Sequence, residues 1–199
     1  MNKFFEKKNS MNTSRLILFI FLFLLFSQTA FSKWFFEHYS INQGLPNNHI
    51  EFLFKDSKGF LWVATNNGLS QYDGFTFRNF FNNPKDSNSL PTNRVTGIAE
   101  DKNGLIWVGM WGGVATFDPK TQKFGKRNLK FEKGFDYVIH IFCDSKNRIW
   151  ICTWLGNYLF SAKGELIKHW QEGKGKNDLP DNRTTCTYED KKGNIWITG

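Results

Sequence analysis

The 199 residues carry 26 Lys and Arg against 18 Asp and Glu, a net charge of +8. The basic residues are scattered through turns with no run of five like charges, which argues against a nucleic-acid surface. Three cysteines without a C-x-x-C pair and four histidines spread singly argue against a disulfide framework and a metal centre, and no cofactor is called for.

Residues 1–32 read as an export signal. Lys3, Lys7, Lys8 and Arg15 form a basic leader, and Leu16 to Phe26 is an unbroken apolar run of 11 residues. Ala30-Phe31-Ser32 then offers small residues for cleavage before Lys33. The run falls short of the roughly 20 residues a helix needs to cross a bilayer, so cleavage is favoured over a permanent anchor. Without the leader, 22 basic residues face 17 acidic ones, a net +5 on an exported domain. Cys143, Cys152 and Cys186, placed in strands, read as small buried hydrophobes rather than bridged pairs.

Beyond the leader the chain is built on a repeat. Asp56-Ser57-Lys58-Gly59-Phe60-Leu61-Trp62 returns as Asp101-Lys102-Asn103-Gly104-Leu105-Ile106-Trp107. It returns again as Asp144-Ser145-Lys146-Asn147-Arg148-Ile149-Trp150 and as Asp190-Lys191-Lys192-Gly193-Asn194-Ile195-Trp196, with tryptophans 45, 43 and 46 residues apart. Six residues after the first three tryptophans stands Gly68, Gly113 or Gly156; ten after stands Tyr72, Phe117 or Phe160. Ahead of the motif, Leu45-Pro46-Asn47-Asn48 recurs as Leu90-Pro91-Thr92-Asn93 and Leu179-Pro180-Asp181-Asn182, while the third unit has Gly134-Phe135-Asp136 instead.

In the first unit the pattern predicts strands over Ile50 to Lys55, Leu61 to Thr65, Leu69 to Tyr72 and Thr76 to Phe80, joined by Asp-Ser-Lys-Gly, Asn-Asn-Gly and Asp-Gly turns. Four strands per period of about 45 residues is the signature of a β-propeller; the closely spaced glycines would break the helix pairs of a solenoid. The motif residues Asp56, Gly59, Trp62, Asp101, Gly104, Trp107, Asp144, Trp150, Asp190, Gly193 and Trp196 are assigned structural work. Asp accepts backbone N–H bonds, Gly or Asn supplies positive φ, and Trp presses on the next blade. One carboxylate per blade cannot converge on a calcium ion.

The expected organisation is 1–32 signal, 33–48 outermost strand and linker, 49–92 first blade, 93–136 second, 137–182 third, and 183–199 the start of a fourth. The fold class is all-β: three four-stranded blades and part of a fourth, with the ring not closed. Phe36-Glu37-His38-Tyr39 echoes Phe77-Arg78-Asn79-Phe80, so the mature chain is expected to open on an outermost strand of the kind that clasps the last blade of a closed ring. The chain is accordingly read as an N-terminal fragment.

The pattern D-x-x-G-x-[IL]-W-[IV]-x-T with its Gly-Leu step and Tyr-Asp pair resembles the two-component regulator propeller repeat, with Asp56 to Asp73 matching nearly throughout. The resemblance covers residues 34–199. It implies the periplasmic sensor region of an inner-membrane receptor, notably the hybrid two-component systems of Bacteroidetes that detect oligosaccharides. It further implies more blades, a β-sandwich domain, a transmembrane helix and a kinase in a dimeric parent, none of which is in this sequence. No kinase residue is carried over. The third unit departs most from the family pattern, with Asn147 in place of glycine and Phe160-Ser161 in place of the Tyr-Asp pair, and is expected to be the least regular blade.

A ligand is expected at the rim formed by the loops between blades and between second and third strands. The candidates are Asn48, Asn66, Arg94, Trp111, Trp154 and Arg183. Indole faces stack on sugar rings while Asn and Arg bond hydroxyls; the competing reading has both tryptophans sealing the gap between blades. The leading function is a non-enzymatic sensor fragment for an oligosaccharide. A carbohydrate-active enzyme would need paired carboxylates at the funnel, which the turn aspartates and Glu51, Glu100 and Glu189 do not supply. A protein-interaction scaffold is the third reading.

Overall fold

The computed structural model describes residues 34–131 and 137–199, with Ser14 and Ile17 besides. The export signal over 1–32 and the Gly134-Phe135-Asp136 step lie outside the described residues. The chain divides into two units, Met1–His38 and Tyr39–Gly199. In the first, residues 34–38 take no strand, and Trp34, Phe35 and Phe36 are exposed. The outermost strand expected within 33–48 is not formed, because an extended segment becomes a strand only through a ladder partner. The second unit begins instead with a 3₁₀ turn, Ile41–Gln43, closed at its start by a reciprocal Ser40 and Gln43 capping box.

The second unit is a run of antiparallel meanders. The first sheet is β1 (Ile50–Lys55), β2 (Leu61–Thr65), β3 (Gly68–Tyr72) and β4 (Phe77–Phe80); the second is β5 (Val95–Glu100), β6 (Ile106–Met110), β7 (Gly113–Asp118) and β8 (Lys123–Arg127). The third is β9 (Val138–Cys143), β10 (Arg148–Thr153), β11 (Gly156–Ser161) and β12 (Leu166–Trp170), and a hairpin of β13 (Cys186–Glu189) and β14 (Ile195–Thr198) comes last. The first strands pack in succession, β1 on β5, β5 on β9 and β9 on β13, so the sheets fan out as an arc and the ring is not closed.

Middle strands in such an arc are covered on both faces, which is why Ile106–Met110 is buried throughout instead of alternating. The core accordingly lies between blades. Trp62, Leu69, Ile98, Val108 and Phe117 form one buried cluster where the first and second blades meet. Trp107, Val114, Ile141, Ile149 and Phe160 form another between the second and third. Each side chain of this size contributes about 1.5–3 kcal/mol on full burial, so contact between blades holds the arc together. Gly97 and Gly109 permit the close approach of the second blade to the third: a Cβ on Gly97 would stand 2.9 Å from the backbone nitrogen of Ile141, and one on Gly109 would stand 2.6 Å from Val138.

The repeated Asp-to-Trp heptapeptide is a closed hydrogen-bonded unit. In every blade the Asp accepts the N–H groups two and four residues on. Its second oxygen accepts the indole N–H of the Trp six residues on, at 2.8 Å for Trp62, 3.0 Å for Trp107, 2.9 Å for Trp150 and 3.0 Å for Trp196. Burial alone would raise the Asp144 carboxyl, but bonds from Arg148 and Trp150 outweigh it and hold it below the ordinary value.

The third blade keeps an unbroken β10 to β11 ladder, but its β11 to β12 pairing shifts register between Leu159 and Phe160, where the outer pairings of the first two blades run without a shift. Its departure from the pattern is compensated. Ser57 donates its N–H and its hydroxyl to the Glu100 carboxylate (2.6 and 2.7 Å), and Ser145 does the same to Glu189 (2.6 and 2.7 Å), each clasping one blade to the next. Where the third blade has Cys143 in place of that Glu, Asn147 takes the left-handed turn position at φ 62 and its side-chain oxygen accepts Lys102 N–H at 2.8 Å. Of the cysteines, Cys152 is buried as expected and Cys143 partly so, whereas Cys186, at the start of β13, is exposed.

Candidate functional site

The rim is shaped by a recurrent bulge. Each of the first three inner strands skips one residue in its ladder, at Glu51, Thr96 and Ile139. Bulges of this kind redirect side chains and end pairing, and here they lie where the linker from the preceding blade enters. The residue two before each bulge is His49, Arg94 or Tyr137, and Arg183 precedes Thr185 at the matching place in the fourth.

Arg94 and Tyr137 from these positions form a continuous stack with Trp111 and Trp154 across two blades. The guanidinium of Arg94 lies 3.4 Å above the Trp111 ring. Trp111 meets Tyr137 edge-on at 4.5 Å between centroids, and Tyr137 meets Trp154 at 4.8 Å. Backbone bonds fix the spacing: Trp111 N–H donates to Arg94 C=O at 3.2 Å, and Trp111 and Tyr137 form an antiparallel bridge. Trp111 is 41 % exposed and Trp154 50 %, so neither ring is enclosed in the core.

Beyond Trp154 a cleft of about 320 Å³ opens, walled by Ile139, Trp154, Asp181 and Arg183. Its arginine stands 3.9 Å from Asp181, and Arg94 stands at the same 3.9 Å from Glu51. Neither guanidinium donates a hydrogen bond among the described residues, and the buried Nε of Arg94 has no acceptor there.

The structure thus brings together Arg94, Trp111, Trp154 and Arg183 among the expected site residues. Asn48 does other work. Its side-chain oxygen accepts Ile41 N–H at 2.9 Å, as Asn93 accepts Asn82 N–H and Asn182 accepts Glu172 N–H, both at 2.7 Å. The Asn of the Leu-Pro step therefore pins the linker that crosses to the next blade. Asn66 stands one blade away from the stack, its N–H bonded to His49 C=O at 3.3 Å and its side-chain oxygen buried without a donor among the described residues. Tyr137, the centre of the stack, was not among the expected residues. Its only signal in the sequence is its register, five residues before Phe142 as Arg94 is before Ala99.

The carboxylates weighed for catalysis are otherwise engaged: the turn aspartates hold indoles, Glu100 and Glu189 clasp blades, and Glu51 faces Arg94. No group of three metal-ligating side chains exists among the described residues, and no described helix is long and apolar enough to cross a membrane.

The comparisons accord with this architecture. Residues 44–67, 89–112 and 178–199 match the model of the two component regulator propeller family, the third blade going unmatched. Histidine kinase P4 of Formosa agariphila is 35% identical over 74 residues, 34% of this chain and 5% of that protein. Two extracellular domains from B. thetaiotaomicron superpose well. One, assigned to a hybrid two component system, has a TM-score of 0.68 at 25% identity over 81% of this chain and 23% of that one. The other, assigned to a one component system, has a TM-score of 0.65 at 25% identity over 81% and 25%. Virginiamycin B lyase from Staphylococcus aureus, at 16% identity and a TM-score of 0.61 over 78% of this chain and 50% of the lyase, shares the fold alone. The chain thus spans about a quarter of the solved extracellular domains it matches and a small part of the kinase. With the motif in every unit, the meander blades and these likenesses together, the chain resembles the two-component regulator propeller family over those three stretches.

Proposed function

We propose that this chain is part of the periplasmic ligand-binding region of a two-component receptor and that it recognises an oligosaccharide at the propeller rim. The observation that carries the reading is the Arg94, Trp111, Tyr137 and Trp154 stack, whose rings run from the second blade to the third beside a cleft. Aromatic platforms with adjacent polar groups suit sugar rings, which present apolar faces and hydroxyl edges. The extracellular placement of the solved relatives supports the periplasmic assignment, and signalling would pass through kinase modules of the parent receptor. The engagement of the candidate carboxylates in structural bonds favours sensing over hydrolysis.

The test is glycan binding by the chain with Trp111→Ala and Trp154→Ala. The reading expects each variant to lose most of its affinity while its Tm stays within a few degrees of the parent. Equal loss of affinity and Tm would return both indoles to the role of packing.

A further inference from the structure

The rim carries more than an aromatic shelf. Two guanidinium groups flank it, Arg94 from the linker into the second blade and Arg183 from the linker into the fourth. They occupy matching places in the repeat, five residues before Ala99 and Tyr188. Arg94 is already oriented by its 3.4 Å stack on Trp111. A guanidinium held flat against an indole has given up its rotamer freedom before any ligand arrives, and its planar fork matches an anionic oxygen pair. Yet among the described residues neither fork has an acceptor within hydrogen-bond distance; each has one carboxylate at 3.9 Å. Structural arginines in this chain look different. Arg148 is locked to Asp144 by bonds of 2.7 and 2.6 Å, and Arg127 donates to Thr116 at 3.2 Å.

From this contrast we infer that the rim selects acidic saccharides, with Arg94 and Arg183 receiving carboxylate or sulfate groups of a sugar chain whose rings lie along Trp111, Tyr137 and Trp154. The inference rests on the rim being a saccharide site and adds the charge class of the ligand. Glu51 and Asp181 then act as loose counter-charges that hold the two forks near the shelf and repel ligands approaching in the wrong register. At 3.9 Å neither carboxylate competes with a direct charge-assisted bond. Neutral sugars would still stack but leave both forks unfilled.

The experiment is calorimetric titration of the chain with three probes: galactotriose, trigalacturonate and a sulfated chondroitin disaccharide. At least one acidic probe is expected to bind about tenfold or more tightly than galactotriose, as filling a charged donor pair would bring. That advantage is expected to shrink in roughly 0.5 M salt and to vanish in Arg94→Gln and Arg183→Gln variants of unchanged Tm. Whichever acidic probe binds better distinguishes the carboxylate from the sulfate. Galactotriose binding as tightly as both acidic probes, or a preference that survives both substitutions, overturns the acidic assignment and leaves the aromatic shelf standing. Absence of binding by all three, or binding indifferent to Trp154→Ala, overturns the shelf itself and this inference with it.

Discussion

Asp101→Ala tests whether the repeated motif is the structural unit of each blade. The carboxylate is 3% exposed and accepts three bonds, from Asn103 N–H at 2.8 Å, Leu105 N–H at 3.1 Å and the Trp107 indole at 3.0 Å. Trp107 is itself fully buried, so its N–H would be left without an acceptor and out of reach of water. Bonds to a charged acceptor contribute about 1.5–3 kcal/mol each, and an orphaned buried donor costs about 1–3 kcal/mol. Partial relaxation of the turn brings the net loss to about 3–5 kcal/mol. For a domain of this size that is a fall in Tm of roughly 6–20 °C, read by thermal unfolding followed in the far ultraviolet. The chain contains its own control. Asp190 makes the same bonds to Lys192, Asn194 and Trp196, but Trp196 is 61% exposed and water replaces the lost acceptor. Asp190→Ala is expected to lower Tm far less. Equal shifts from the two substitutions would refute the claim that burial of the indole gives the bond its weight.

Three further outcomes are expected from the fold. Gly97→Ala, which sets a methyl 2.9 Å from the Ile141 backbone, is expected to lower Tm by several degrees, whereas Gly125→Ala, with only Thr116 at 4.0 Å, leaves it nearly unchanged. Burial pushes His140 down to about 4, where it accepts Thr187 N–H at 3.4 Å as a neutral ring. The unfolded chain takes up that proton near 6.5 and the folded chain only near 4, so this stabilisation is complete above pH 6.5 and is lost as pH falls toward 4. Over that window roughly 3 kcal/mol is expected to disappear, measured by urea unfolding against pH, and His140→Gln is expected to flatten the curve. At φ 62, Asn147→Ala combines backbone strain with loss of the Lys102 bond and is expected to cost about 2 kcal/mol, against about 1 kcal/mol for Asn147→Gly.

The blades were legible because a four-fold motif with fixed turn residues leaves little freedom: the strands expected over Ile50 to Lys55 and Leu61 to Thr65 form with those bounds. The fourth strand lost one residue, since Thr76 is drawn into the Asp73 turn by bonds to its N–H and hydroxyl. The stretch ahead of the first blade takes no strand over 34–38, because resemblance to a strand does not provide a neighbour to pair with. At the rim, Trp111 and Trp154 were visible as large residues at a loop position, but Tyr137 was not. Its place depends on a bulge at Ile139 that removes it from strand alternation, and nothing in the letters marks a bulge. Asn48 reads as a ligand contact because exposed amides at a rim suit that role; its bond from Ile41 N–H, set by the fold of the linker, was not legible in the letters.

The clasp between blades shows how a repeat keeps its geometry while losing its letters. An oxygen is required at one point beside the next turn, and the chain supplies it by two routes: a Glu just before the Asp, or an Asn three residues after it. Cys143 and Asn147 therefore belong to one solution, and Glu100 and Gly104 to the other. Losing the Glu without gaining the Asn would leave that point without an oxygen, whereas the exchange of both restores it. A blade that has made the exchange is sound in three dimensions yet distant from its siblings in sequence, and a count of blades made one letter at a time will pass over it.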